Sequence, residues 1–230
     1  EKGASAVAPV QERGTKPACA LPYQMLANSF VNIDKINLER IEIEFSALEA
    51  NFGKEIGNSG VPFNVYTPGV YKNDAGRTWA YAVKAGGVLV GSWEINGFAE
   101  GIYDLVVDGP NGFYRRFKGG KDDLLLAVWC NYEKRKLLNK ATGNLELTLE
   151  NLETAPVQVE IIDDVYKVNS KTVTLPAISK KTVILNLKKS KGWYDFKVRV
   201  KGKDNFLKHY AGHVETGEES ITDPYMGGVL

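Results

Sequence analysis

The chain has 230 residues, 43% apolar and 25% charged, and its 29 basic and 28 acidic side chains leave a net charge of +1. That length fits one large or two ordinary domains, and the composition is that of a globular protein with a sizeable core. The balanced charge offers no basic face for nucleic acid, and no run of eighteen apolar residues is present to cross a membrane.

In chain order, Glu1 rather than Met at the start reads as a piece of something longer or a processed product. Residues 1–22, EKGASAVAPVQERGTKPACALP, are small, hold three prolines and keep no period, so they read as a linker. Period-two alternation comes next. RIEIEFSAL sets Ile41, Ile43 and Phe45 on one face and Glu42 and Glu44 on the other. A short turn is expected between Glu49 and Ser59. RTWAYAVKA repeats the alternation with Trp79, Tyr81 and Val83, and GVLVGSWEI, GIYDLVVDG, LLLAVWCNY, NLELTLENL, PVQVEIID, KTVTLP, KKTVILNLK and WYDFKVRVK continue it. Short alternating runs bounded by Gly, Pro, Asn, Asp and Ser predict an all-β sandwich or barrel.

An internal repeat organises these strands. GIYDLVV from Gly101 returns as GWYDFKV from Gly192, an offset of 91, and NGFYRRFKG ending at Gly119 returns as DNFLKHYAG ending at Gly212, an offset of 93. The two extra residues preserve which side chains face inward, because strands alternate with period two. The signature positions are Tyr103, Asp104, Asn111, Gly112, Phe113 and Phe117 in the first copy. Trp193, Tyr194, Asp195, Phe206, Tyr210 and Gly212 mark the second. Fainter echoes lie upstream: IEIEFSAL against LELTLENL, Tyr71-Lys72 against Tyr166-Lys167, and LANSFVNID against LAVWCNYEK. Each copy has the size and strand count of an immunoglobulin-like sandwich. The expected architecture is therefore two tandem immunoglobulin-like β-sandwich domains, residues 23–120 and 121–217, with a linker at 1–22 and a tail at 218–230.

DGPNGFYRRFKGG, residues 108–120, has the glycines of a phosphate-binding loop but not the helix that such a loop needs behind it. FYRRFK instead alternates Phe113, Arg115 and Phe117 against Tyr114, Arg116 and Lys118 as a strand. Asn111-Gly112 predicts the hairpin turn. The cations leave two readings. One is a solvated face whose stems cover apolar surface. The other is a basic strip of Arg115, Arg116 and Lys118, echoed by Lys208 and His209, that contacts lipid headgroups or a partner domain.

His209 and His213 sit four apart, which on a strand is about 13 Å, too far to share a metal. No metal site and no catalytic residue is expected; Gly-x-Ser-x-Gly is absent and no carboxylate pair has acid–base spacing. Asp104 and Asp195 are expected to hydrogen-bond loops of their own domains. Trp79, Tyr81 and Trp93 read as core, or, if exposed, as a sugar-stacking platform. Cys19 and Cys130 read as free, buried thiols.

CALPYQ, YDLVVDGPNGFYRRFKG, GWYDFKVRV and HYAGHVETGEESITDP together resemble the C-terminal region of bacterial phosphocholine-type phospholipases C, the non-haemolytic enzyme among them. The resemblance covers nearly the whole chain. It implies two copies of one domain behind a larger catalytic phosphoesterase domain, which would be the principal partner, with a phospholipid surface as a second. It also implies that catalysis lies upstream, that this region carries no cofactor, and that the parent is periplasmic or secreted, a setting that permits a Cys19–Cys130 disulfide. The alternative expectation is a stand-alone module binding carbohydrate or a protein at the cell surface.

Overall fold

The computed structural model describes residues 14–33, 39–48, 59–120, 125–135 and 140–225. The turn expected between Glu49 and Ser59 lies almost wholly outside these. The described residues form strands throughout, with two 3-10 turns at Ile95–Gly97 and Ala99–Gly101.

The N-terminal half holds β2 (Gln24–Ile33), β3 (Glu39–Leu48), β4 (Val61–Tyr66), β7 (Thr78–Val83), β8 (Val88–Glu94), β9 (Ile102–Asp108) and β10 (Tyr114–Gly120). A small hairpin, β5 (Val70–Tyr71) and β6 (Asp74–Ala75), projects from the β4–β7 connection. The C-terminal half holds β11 (Leu126–Lys134), β12 (Ala141–Asn151), β13 (Val157–Ile162), β14 (Lys171–Leu175), β15 (Ser179–Leu185), β16 (Trp193–Val200) and β17 (Lys203–His213). The pairing orders match strand for strand. β2-β3-β8 corresponds to β11-β12-β15, and β7-β4-β9-β10 to β14-β13-β16-β17. Each half is thus a three-stranded sheet packed on a four-stranded one, with every ladder antiparallel.

Alternation explains the core. Ile41, Ile43 and Phe45 are buried, as are Tyr103, Leu105 and Val107 and, in the other half, Tyr194, Phe196, Val198 and Val200. Trp93 is only 2% exposed, and Trp79 and Tyr81 pack against the same cluster. The aromatic row is therefore core, not a platform: Trp79 and Trp93 meet edge to face at 5.4 Å, and Tyr81 stacks on Phe45 at 4.6 Å. Gly91 makes room for this, since a Cβ there would lie 2.5 Å from the Trp93 ring and 2.6 Å from the Tyr81 hydroxyl. The faint Tyr-Lys echo also has a structural basis, because Lys72 and Lys167 both take positive φ, 47° and 56°.

The halves are joined edge to edge. β10 pairs antiparallel with β17, so the two four-stranded sheets become one sheet of eight. Beside it β2 abuts β11, where the Asn28 side chain bridges like a peptide group: its Oδ1 accepts from Cys130 N at 2.9 Å and its Nδ2 donates to Cys130 O at 3.4 Å. Two pairs of open strand edges are covered this way. The stretch expected to be linker is partly structured as well: β1 (Pro17–Ala18) pairs with β18 (Ser220–Ile221), which ties it to the tail.

Candidate functional site at the junction of the two halves

The β9–β10 hairpin turns through Asn111 and Gly112, both with positive φ (54° and 69°), the geometry that Asn-Gly supplies. Phe113 N donates to Pro110 O at 3.1 Å to close the turn. β10 then runs between β9 and β17, so each of its side chains faces either the sandwich interior or the outer surface of the joined sheet.

This corrects the basic strip. Arg115 is 0% exposed and Lys208 is buried, so neither lies on a surface. Arg115 Nη1 donates to the carbonyls of Tyr114 and Ala211, both at 2.8 Å, and Nη2 donates to the Tyr194 hydroxyl at 2.8 Å. Its guanidinium lies 3.9 Å from the Phe113 ring centroid and 5.2 Å from that of Tyr210. Lys208 Nζ donates to the carbonyl and hydroxyl oxygens of Ser29, both at 2.7 Å, and lies 5.5 Å from the Phe117 ring. Desolvated cation–π contacts of this kind contribute about 2 kcal/mol. A guanidinium keeps its charge even here, and carbonyl dipoles with aromatic faces solvate it.

Arg116, Lys118 and His209 face outward but are not equivalent. Arg116 makes a two-pronged ion pair with Asp104, Nε to Oδ1 at 2.8 Å and Nη2 to Oδ2 at 2.6 Å, which raises the guanidinium's affinity for its proton further. His209 Nε2 meets Asp195 Oδ1 at 2.6 Å. The two aspartates thus bind basic side chains on the adjacent strand, not loops. His209 and His213 take separate partners, and among the described residues no group of three His, Cys, Asp or Glu side chains is placed to hold a metal.

A second cluster was not legible as a site. Glu215, buried, accepts from Leu21 N at 3.1 Å and from Asn111 Nδ2 at 3.0 Å, and meets His213 Nδ1 at 2.9 Å. It gathers the N-terminal stretch, the β9–β10 hairpin and the end of β17 onto one carboxylate. His213 Nε2 in turn lies 3.0 Å from Ser220 Oγ, on the wall of a cavity of about 490 Å³. The order Ser220–His213–Glu215 has the connectivity of a nucleophile triad. His213 Nε2 also lies 3.1 Å from the Lys191 carbonyl, and the Ser220 hydroxyl donates to that same carbonyl at 3.4 Å. These contacts tie Ser220 on the C-terminal stretch to the β15–β16 connection through His213. The sequence signal for it was the ETG of AGHVETG, which local pattern alone does not distinguish from an exposed turn. Cys130 is buried and Cys19 exposed, and both are free.

The profile of the bacterial phospholipase C C-terminal domain matches residues 17–120 and 126–213. The chain belongs to this family. It is similar to the non-hemolytic phospholipase C of Pseudomonas aeruginosa, 34% identical over 97% of the chain but over only 30% of that protein. The non-hemolytic phospholipase C of Burkholderia pseudomallei is 32% identical over 95% of the chain and 29% of its own length. The hemolytic phospholipase C of Pseudomonas aeruginosa is 30% identical over 95% and 30%. The phospholipase C C-terminal domain chain therefore spans about three tenths of the curated relatives it matches. Among solved structures, red sea bream transglutaminase covers 84% of the chain at 12% identity with a TM-score of 0.24, too low to carry an argument. No helix among the described residues is long and apolar enough to cross a membrane.

Proposed function

We propose that this chain is the non-catalytic C-terminal region of a periplasmic or secreted bacterial phospholipase C. In this reading two copies of one sandwich domain, residues 23–120 and 121–217, form a single rigid support for an upstream catalytic phosphoesterase domain. The observation that carries it is the family match in two stretches, on a chain that aligns almost end to end with three tenths of each phospholipase. The junction chemistry agrees with a support role. Its histidines and most of its cations are engaged by aspartates, a glutamate, carbonyls and ring faces, which fix geometry and leave little to act on a substrate. Presentation of lipid headgroups would follow from how this support orients the catalytic domain.

Deleting this region from a full-length phospholipase tests the reading. The truncated enzyme is expected to melt several degrees lower and to lose activity toward phosphatidylcholine vesicles. Unchanged melting and unchanged hydrolysis would show that the region supports nothing.

A further inference from the structure

The two halves share a strand plan, so a position where they differ sharply in chemistry is informative. β8 and β15 are equivalent, and among the described residues each pairs on one side only, with β3 and β12. Phe45 and Leu149 correspond in the IEIEFSAL/LELTLENL echo; Phe45 faces Leu89 and Leu149 faces Lys181. The pairing therefore matches Val88, Leu89 and Val90 with Lys180, Lys181 and Thr182. On β15 the open edge carries two lysines, the usual protection against unwanted strand addition. On β8 the same edge carries three consecutive apolar side chains, 55%, 42% and 50% exposed. Three adjacent, well-exposed apolar residues on a strand that pairs on one side only among the described residues make a surface suited to strand addition.

We propose that Val88–Val90 is where the remaining part of the phospholipase chain docks, by laying an extended apolar segment along the open edge of β8. This rests on the reading above that the chain works as part of a longer enzyme. The occupant follows from length: seven tenths of each matching phospholipase lies outside the aligned region. A protein strand fits better than a bilayer. Lipid tails would leave the edge N–H and C=O groups unsatisfied, and exposed Glu44, directly opposite Val90, would repel anionic headgroups.

Amide hydrogen exchange decides the matter, comparing this chain alone with a full-length phospholipase that contains it. Amides of residues 88–90 are expected to exchange at least tenfold more slowly in the full-length enzyme. Val88→Lys with Leu89→Lys, which copies the β15 edge, is expected to abolish that protection while leaving the melting point of the isolated chain unchanged. New protection elsewhere but not at 88–90 would overturn the proposal and leave the support role standing. No new protection anywhere would count against the support role itself. Concentration-dependent protection of 88–90 in the isolated chain would assign the edge to a second copy. Binding of the isolated chain to phosphatidylcholine vesicles, lost in the double variant, would assign it to membrane. Either of those two results overturns the proposal.

Discussion

Arg116 on β10 stands directly opposite His209 on β17, and the offset of 93 that relates Gly119 to Gly212 makes each the counterpart of the other. A residue facing its own equivalent marks a two-fold axis, as in isologous dimers. The same relation pairs Arg115 with Tyr210 and Lys208 with Phe117, two equivalent cation–ring contacts across one junction. The aspartates obey it too: Asp104 holds Arg116 as Asp195 holds His209. The two halves, with their matching strand orders, are arranged like a dimer whose subunits are covalently linked.

Arg115 is the buried centre of this junction. Arg115→Met keeps most of the volume but strands the Tyr194 hydroxyl and the Ala211 carbonyl without their donor. The expected loss is about 3 kcal/mol by urea unfolding. Arg115→Lys is expected to lose roughly half as much, because an ammonium still lies against the rings but reaches fewer acceptors. Equal stability of the wild type and the Met variant would show that the junction does not depend on the cation.

Two tyrosines beside Arg115 are expected to respond oppositely. The Tyr194 hydroxyl accepts from Arg115, whereas the Tyr210 hydroxyl is buried with no hydrogen-bond partner among the described residues. Tyr194→Phe removes an acceptor from a buried cation and should cost about 1–2 kcal/mol. Tyr210→Phe removes an unpaired hydroxyl while keeping the ring that stacks on Phe196, so it should be neutral or slightly stabilising. Thermal unfolding of both variants distinguishes them, and a reversed order would contradict the assigned contacts.

Glu215 receives groups from three parts of the chain, and an amide cannot accept from all of them. Glu215→Gln turns an NH2 group toward Leu21 N–H or the Asn111 amide and should cost about 2 kcal/mol. Its more specific signature is local. Exchange of the Leu21 amide should rise at least tenfold, while amides in the middle of β12 change little. Protection of Leu21 that survives the substitution would mean that Glu215 does not anchor the N-terminal stretch.

Burial pushes the Cys130 thiol up to about 11 from its ordinary 9.0, although nearby Arg115 pulls the other way. Between those values the folded chain retains a proton that the unfolded chain has lost. Stability is therefore full below pH 9 and falls as pH rises from 9 to 11. Tyr132, Tyr194 and Tyr210, all raised by burial, add to the loss above pH 10. In Cys130→Ala the decline in urea midpoint should begin about one pH unit later. An identical onset in both proteins would show that Cys130 does not set the alkaline limit.

Most strands were readable because residues such as Ile41, Ile43 and Phe45 alternate with Glu42 and Glu44, although on β9 Val106 is buried along with Leu105 and Val107. The likeness of the two halves was visible where glycines and aromatics recur, at offsets of 91 and 93. One echo was a residue out of step. Leu126 faces Asn151 and Met25 faces Ala47, so in the strand pairing Leu126 answers Met25 rather than Leu26. What could not be read was the junction. Alternation already placed Arg115 beside Phe113 and Phe117, but only the pairing of β10 with β17, ninety residues apart, supplies the carbonyl, hydroxyl and rings that make a buried arginine tolerable. Edge-to-edge joining depends on tertiary contact and leaves no local pattern, so the basic strip looked like a surface.

We propose that these two joined sandwiches support phospholipase chemistry without performing it. Hydrolysis of phosphatidylcholine by the purified 230-residue chain, run beside a full-length phospholipase with and without added divalent metals, tests it most directly. A support role predicts turnover by the full-length enzyme and none by the chain alone; turnover by the chain under any of these conditions would contradict it.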